Sequence, residues 1–251
     1  MKALDPKQFN TDGTVAPLRL ASTVVLLRRA KDVDSKHKVE TLMLRRVARK
    51  GGAMGGRALW VFPGGGVEDQ DECSSEQDLA ALARAGARET QEEAGVEVHA
   101  TALSFFARWI APSFVKKRFD TFFFATETEG DSAVQVDGSE IDAAQWLTPE
   151  AAIALYQKGE LPLVAPTFVT LHWLTGYPSP AAVIEALARA PAVIVNPKVC
   201  IEGELWRSLY PGDAGYETSS PDRAGARNRI IRIGDKMTYE RSGLEPRFGG
   251  G

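Results

Sequence analysis

The chain has 251 residues, enough for one large domain or one domain with an extension, and 44% apolar with 25% charged residues is the composition of a folded globular protein. Thirty basic against 33 acidic residues leave a net charge of -3, which offers no general attraction for nucleic acid or an anionic membrane, so any phosphate binding must be local. Cys73 and Cys200 stand in neither a Cys-x-x-Cys nor a zinc spacing, which points away from a disulfide framework and toward a reducing compartment. Residues 1–6 lack the apolar run of a secretory signal and no stretch approaches the ~18 apolar residues of a membrane span, so a cytoplasmic protein is the expectation.

Residues 1–18 are polar and punctuated by Pro and Gly, which predicts a tail. Leu20–Leu27 is a β-branched apolar run and Val39–Leu44 a second, so the two predict a hairpin around a charged loop, residues 32–38. After a loop at 50–57 that holds four glycines, the strand Ala58–Phe62 runs into Pro63-Gly64-Gly65-Gly66, where a tight exposed turn is expected. Ser74 with Gln77 matches a capping box, and Leu79, Leu82, Ala83, Ala87, Thr90 and Ala94 recur at helical spacing before Gly95, predicting a helix from Ser75 to Ala94. Val96–Trp109, Phe119–Thr126 and Ile141–Leu147 predict strands, and Pro149–Lys158 and Pro166–Leu174 helices opened by proline. Beyond the break at 176–180 come a helix, Ala181–Ala190, a strand, Val193–Val195, a hairpin of Arg229–Ile233 with Lys236–Tyr239, and a frayed tail at 248–251.

The chemistry concentrates in Arg88-Glu89-Thr90-Gln91-Glu92-Glu93-Ala94-Gly95-Val96. On a helix Glu89, Glu92 and Glu93 fall within one turn, on the side away from Leu82, Ala83, Ala87 and Ala94. Like charges at that spacing repel by a few tenths of a kcal/mol per pair, and a hard divalent cation that prefers oxygen ligands relieves the repulsion. Acidic pairs on helices are ordinarily solvated surface. Here Arg88, Glu89, Glu92, Glu93 and Gly95 coincide, and five such identities at roughly 6% each meet by chance about once in 10⁶ positions.

This stretch resembles the Nudix box, G-x5-E-x7-R-E-U-x-E-E-x-G-U with U apolar, and Phe62-Pro63-Gly64-Gly65 is usual before it. Thr90 is less apolar than the pattern asks. Counting from Gly66 reaches Glu72 at the G-x5-E position, but fifteen residues rather than seven separate it from Arg88, so eight are inserted; strict spacing back from Arg88 lands on Ala80. The resemblance implies an α/β fold, a Nudix-type α/β/α sandwich with a mixed sheet, over residues 19–175, with 176–251 as a C-terminal extension packed on the core. It implies Mg²⁺ or Mn²⁺ held by Glu89, Glu92 and Glu93, one of which is also a candidate general base, with Glu72 and a backbone carbonyl of the Gly65 turn as further ligands and Arg88 orienting a glutamate. Gly65 and Gly66 are also expected to face substrate. Glu140, just before a strand, is a candidate extra ligand or base.

Arg108-Trp109-Ile110-Ala111-Pro112, the run Lys117 to Phe124 and Trp146-Leu147-Thr148-Pro149-Glu150-Ala151 resemble the Nudix branch that includes coenzyme A diphosphatases, so Lys116, Lys117 and Arg118 are candidates to bind a 3′-phosphate or diphosphate. The implied reaction is hydrolysis of a diphosphate linkage in coenzyme A or an acyl derivative. NADH or a nucleoside-diphosphate sugar is the alternative, and a ligand-sensing regulator without catalysis is the contrasting class. The expected partner is a small molecule rather than nucleic acid or membrane, and homodimers are common in the family. His37, His99 and His172 form no spacing pattern; Trp60, Trp109, Trp146 and Trp173 read as core, while Trp206 is unassigned.

Overall fold

The computed structural model describes residues 9–10, 13–31, 38–48, 58–128, 134–136 and 138–245; the loop at 50–57, most of that at 32–38, His37 and the C-terminal tail lie outside the described residues. The described residues form two sheets and four α-helices. The first sheet is centred on β1 (Leu18–Arg29), which pairs antiparallel with the start of β2 (Val39–Arg46) and with β4 (Gly64–Gly66), and parallel with β6 (Arg118–Glu127) along ten residues. Outward from β2 lie β3 (Leu59–Val61) and β7 (Ile141–Leu147); outward from β6 lie β5 (Ser104–Ile110) and, parallel to it, β8 (Val193–Val195).

Side chains alternate across a strand, and β1 shows what the alternation does. Val24 and Leu26 pack with Leu42, Leu44, Ala94 and Val96 beneath α1 (Leu79–Ala94). Val25 and Leu27 enter the opposite core with Met43, Trp60, Phe106 and Phe168, under α2 (Pro149–Lys158), α3 (Ala165–Trp173) and α4 (Pro180–Arg189). The fold is therefore the mixed α/β sandwich that the sequence implies. No helix among the described residues is long and apolar enough to cross a membrane.

The second sheet is an antiparallel meander of β9 (Lys198–Glu202), β10 (Leu205–Leu209), β11 (Arg227–Ile233) and β12 (Lys236–Ser242). It docks through an aromatic seam. Trp109 stacks on Trp173 with centroids 5.9 Å apart and meets Tyr210 edge-on at 5.5 Å. The Tyr156 hydroxyl accepts from the Met237 N–H at 2.6 Å and donates to the Asp235 carbonyl at 3.1 Å. Inside this sheet Arg229 makes two hydrogen bonds to Asp213, at 2.6 and 2.7 Å; both side chains are buried, and Asp213 also accepts from the Asn228 and Gly215 amides. Trp206 finds its place against Phe9 and Phe114.

Four sequence expectations change. The helix begins at Leu79 rather than Ser75, because Asp78, not Ser74, caps it by accepting from the Ala81 N–H at 2.9 Å. The strand expected over Val96–Trp109 is only Ser104–Ile110, preceded by a 3-10 turn at Ala100–Ala102. The glycine turn Gly64–Gly66 is itself a strand, paired with Ala21–Thr23. Residues 176–195 share one core with the elements before them, since Val183, Leu187, Val193 and Val195 are buried in the same cluster as Trp109 and Phe168.

Candidate active site

The site forms where β4 lies against β1 and the C-terminal half of α1 crosses above it. Gly64 has φ +152°, and a Cβ there would stand 2.3 Å from the Ser22 carbonyl, so glycine alone lets β4 lie this close. At Gly65 the obstruction is functional. A Cβ would sit 2.4 Å from the Glu89 carboxylate, which lies directly over the bare backbone. At Gly66 nothing stands within 4 Å of that position, and the carbonyl accepts from Arg88 Nη2 at 3.0 Å.

The three box glutamates are not equivalent. Glu92 is half exposed, Glu89 mostly covered and Glu93 buried, with Oε2 accepting from the Gly64 N–H at 2.9 Å. The expectation that all three share a face turned away from the core therefore fails for Glu93, which faces β4. Burial pushes the Glu93 carboxyl up to about 7; Gly64 and Arg46 oppose the shift, while Glu89 and Glu140 add to it. Burial also raises the Glu89 carboxyl, against the pull of Arg88. Both shifts mark negative charge confined with too little solvent. Thr90 fills the apolar position of the box because its hydroxyl donates to the Gly86 carbonyl at 2.8 Å, leaving nothing polar unmet.

Arg88 is the hub. Nε and Nη2 donate to the two Asp71 oxygens at 3.1 and 3.0 Å, and Nη1 reaches Glu89 at 3.1 Å and Glu92 at 2.9 Å. Burial works against the Asp71 carboxylate, yet the hydrogen bonds from Arg88 and the Glu68 amide prevail and hold it below its usual range. Asp71, not marked by the sequence, is thus the acidic residue of this loop that meets Arg88, whereas Glu72, expected as a further metal ligand, does not reach it. Glu72 is exposed, ends the short 3-10 turn Asp69–Asp71 with φ +51°, and lines a separate open groove with Arg19, Leu20, Val67 and Cys73. The eight inserted residues fold outward and leave Asp71, one residue earlier, pointing in.

On the other flank Arg46 lies 2.5 Å from Glu140 and 3.6 Å from Glu93. Glu140 is thereby at the site, 94 residues from Arg46 and brought there by the pairing of β2 with β7. Arg118 is not in the cluster. Its guanidinium donates to the Ala111 carbonyl at 3.2 Å and the Ala16 carbonyl at 3.0 Å, fastening the start of β6 to the segment before β1. Lys116 and Lys117 are exposed on the preceding loop.

Among the described residues no three Asp, Glu, His or Cys side chains already converge as a metal cage. Glu89 and Glu92 are paired with Arg88, and Glu93 and Glu140 with Arg46. The donors suit a hard divalent cation nonetheless. They are carboxylate oxygens in surroundings whose burial disfavours uncompensated charge.

The profile of the NUDIX domain matches residues 17–167, more than half of the chain. The chain belongs to the NUDIX family. Among curated NUDIX relatives, phosphatase NudJ of Escherichia coli K12 and its Shigella flexneri counterpart are each 34% identical over 95 residues, 38% of this chain and 55% of theirs. The chain thus spans about half the length of the curated relatives it matches. A NUDIX hydrolase from Alicyclobacillus acidocaldarius superposes with a TM-score of 0.58 at 24% identity, over 70% of this chain and 99% of that one, a likeness of fold. NUDIX hydrolases generally use divalent cations, and the oxygen-rich pocket at Glu89 and Glu93 is consistent with that.

Proposed function

We propose that this NUDIX protein hydrolyses a diphosphate linkage in a nucleoside diphosphate derivative, with Mg²⁺ or Mn²⁺ as cofactor. The observation that carries the reading is the Glu89 carboxylate lying over the Gly65 backbone beside the buried Glu93, since this puts charged oxygens and a bare peptide edge on one small cleft. Water attacks one phosphorus, the bond to the bridging oxygen breaks, and two phosphate-bearing products leave. A divalent cation, when bound, supplies charge to the phosphoryl oxygens and lowers the pKa of water. Glu89, Glu92, Glu93 and Glu140 are the side chains suited to hold it, and a carboxylate of this set takes the proton of the attacking water. Arg88, fixed by Asp71, keeps Glu89 and Glu92 in place. The presence of Glu89, Glu92 and Glu93 speaks against the regulator without catalysis.

Coenzyme A or an acyl derivative is the first substrate to test, on the sequence resemblance and the exposed Lys116 and Lys117. One observation favours the second reading, NADH or a nucleoside-diphosphate sugar: Arg118 is committed to the Ala16 and Ala111 carbonyls, which removes one cation from those available to a 3′-phosphate. Purified protein with Mg²⁺ or Mn²⁺ is assayed on all three. Turnover of coenzyme A well above the others supports the first reading, brisk turnover of NADH alone overturns it, and none on any diphosphate overturns the hydrolase reading. Light scattering tests the homodimer that the family resemblance implies.

A further inference from the structure

From the geometry we infer that Arg46 is a resident counter-cation that competes with the divalent ion for Glu93 and Glu140 and so sets how tightly the ion is held. This rests on the metal-site reading above. Arg46 differs from Arg88 in what surrounds it. Arg88 is anchored by Asp71, outside the box, and stays put whatever occupies the cleft. Arg46, by contrast, pairs with Glu93 and Glu140, both carboxylates of the site.

The backbone is built to aim it there. Successive residues of β2 face opposite ways, and the register with β7 passes from Arg45–Ala143 to Arg46–Ile141, skipping Asp142. Arg45 turns outward and pairs with Asp142, while Arg46 turns in. Val47 N–H donates to the Glu140 carbonyl at 2.8 Å, so the two main chains are locked and only the side chains can part. The Arg46 side chain is 32% exposed, which leaves its guanidinium a route to solvent when a stronger cation takes its partners.

A fixed charge at 3.6 Å from a ligand oxygen weakens the binding of another cation there, even at the high effective dielectric of a partly exposed site. Arg46→Met should therefore bind Mn²⁺ about tenfold more tightly than the parent in low-salt buffer, measured by the free Mn²⁺ signal in electron paramagnetic resonance. Arg46→Lys, which keeps the charge, should stay near the parent. Without cation, the Met variant should melt lower than the parent, because Glu93 and Glu140 lose their partner, and saturating Mn²⁺ should close that gap. Unchanged or weaker Mn²⁺ binding by the Met variant, alongside a Glu93→Gln variant that loses binding, overturns the inference and leaves the metal site standing. A parent that binds no Mn²⁺, or a Glu93→Gln variant that binds it as well as the parent, overturns both.

Discussion

At the level of single residues, Glu93 carries the largest burden. Its carboxyl titrates at about 7 in the folded protein against 4.5 for an ordinary glutamate. The fold therefore retains a proton that the unfolded chain releases, and this stabilisation is complete below about 4.5 and lost as pH rises through about 7. On the proposed metal-site reading a divalent cation replaces the proton, so its stabilising effect should grow across the same window. Melting temperatures with and without Mn²⁺ at pH 5.5 and 7.5 check this; an equal increment at both, or a Glu93→Gln variant that keeps the parent's pH dependence, refutes the assignment. That variant should also lose kcat by about 10²-fold or more with its circular dichroism unchanged.

Asp71 acts one step removed. Asp71→Ala frees Arg88 from its two-pronged anchor, and supports of this kind are worth about 10–100-fold in activity. Glu72→Ala, at an exposed residue outside the cluster, should leave activity near that of the parent. Equal losses in the two variants would restore Glu72 to the site.

Among the elements, the glycine strand and the acidic helix make the paired prediction. Gly65→Ala pushes a methyl into the Glu89 carboxylate, whereas Gly66→Ala meets nothing within 4 Å. Because the obstructed atoms are the end of a flexible side chain, the first variant should melt near the parent yet lose at least about tenfold in kcat/KM, and the second should keep both. Removing the Asp78 cap should cost about 1 kcal/mol of stability, read by denaturant titration.

These elements also show what a sequence reveals. The box was legible because Arg88 to Gly95 is one stretch of helix whose spacing fixes its geometry. Asp71 was not, since its meeting with Arg88 depends on the path of an inserted loop, and spacing pointed one residue too far. Arg46 was invisible and Glu140 merely a candidate, because a strand register joins residues 94 apart. The strands β4, β9 and β10 are illegible for a different reason: Gly64–Gly66 has no side chains to alternate, β9 is short and largely exposed, and β10 is short and partly buried on both faces.

Across the whole molecule, the second sheet is held by Asp213 with Arg229 and by the seam around Trp109. Breaking a buried ion pair by removing one partner costs about 3–5 kcal/mol, so Asp213→Ala should lower the unfolding free energy by that order. Tyr156→Phe deletes the hydroxyl that α2 offers to the β11–β12 turn and should cost about 1 kcal/mol. If the Asp213 variant melts with the parent, the sheet is not part of the cooperative unit.

The parallel pairing of β1 with β6 joins Leu18 to Arg118 and runs through Leu27 and Glu127, contacts a hundred residues apart. Closing so long a loop is slow, while the turns of α1 close within a few residues of one another. The helix that carries Glu93 thus closes over far shorter spans of chain than the sheet that buries it, and in pulsed hydrogen exchange its amides are expected to gain protection before those of β1 and β6.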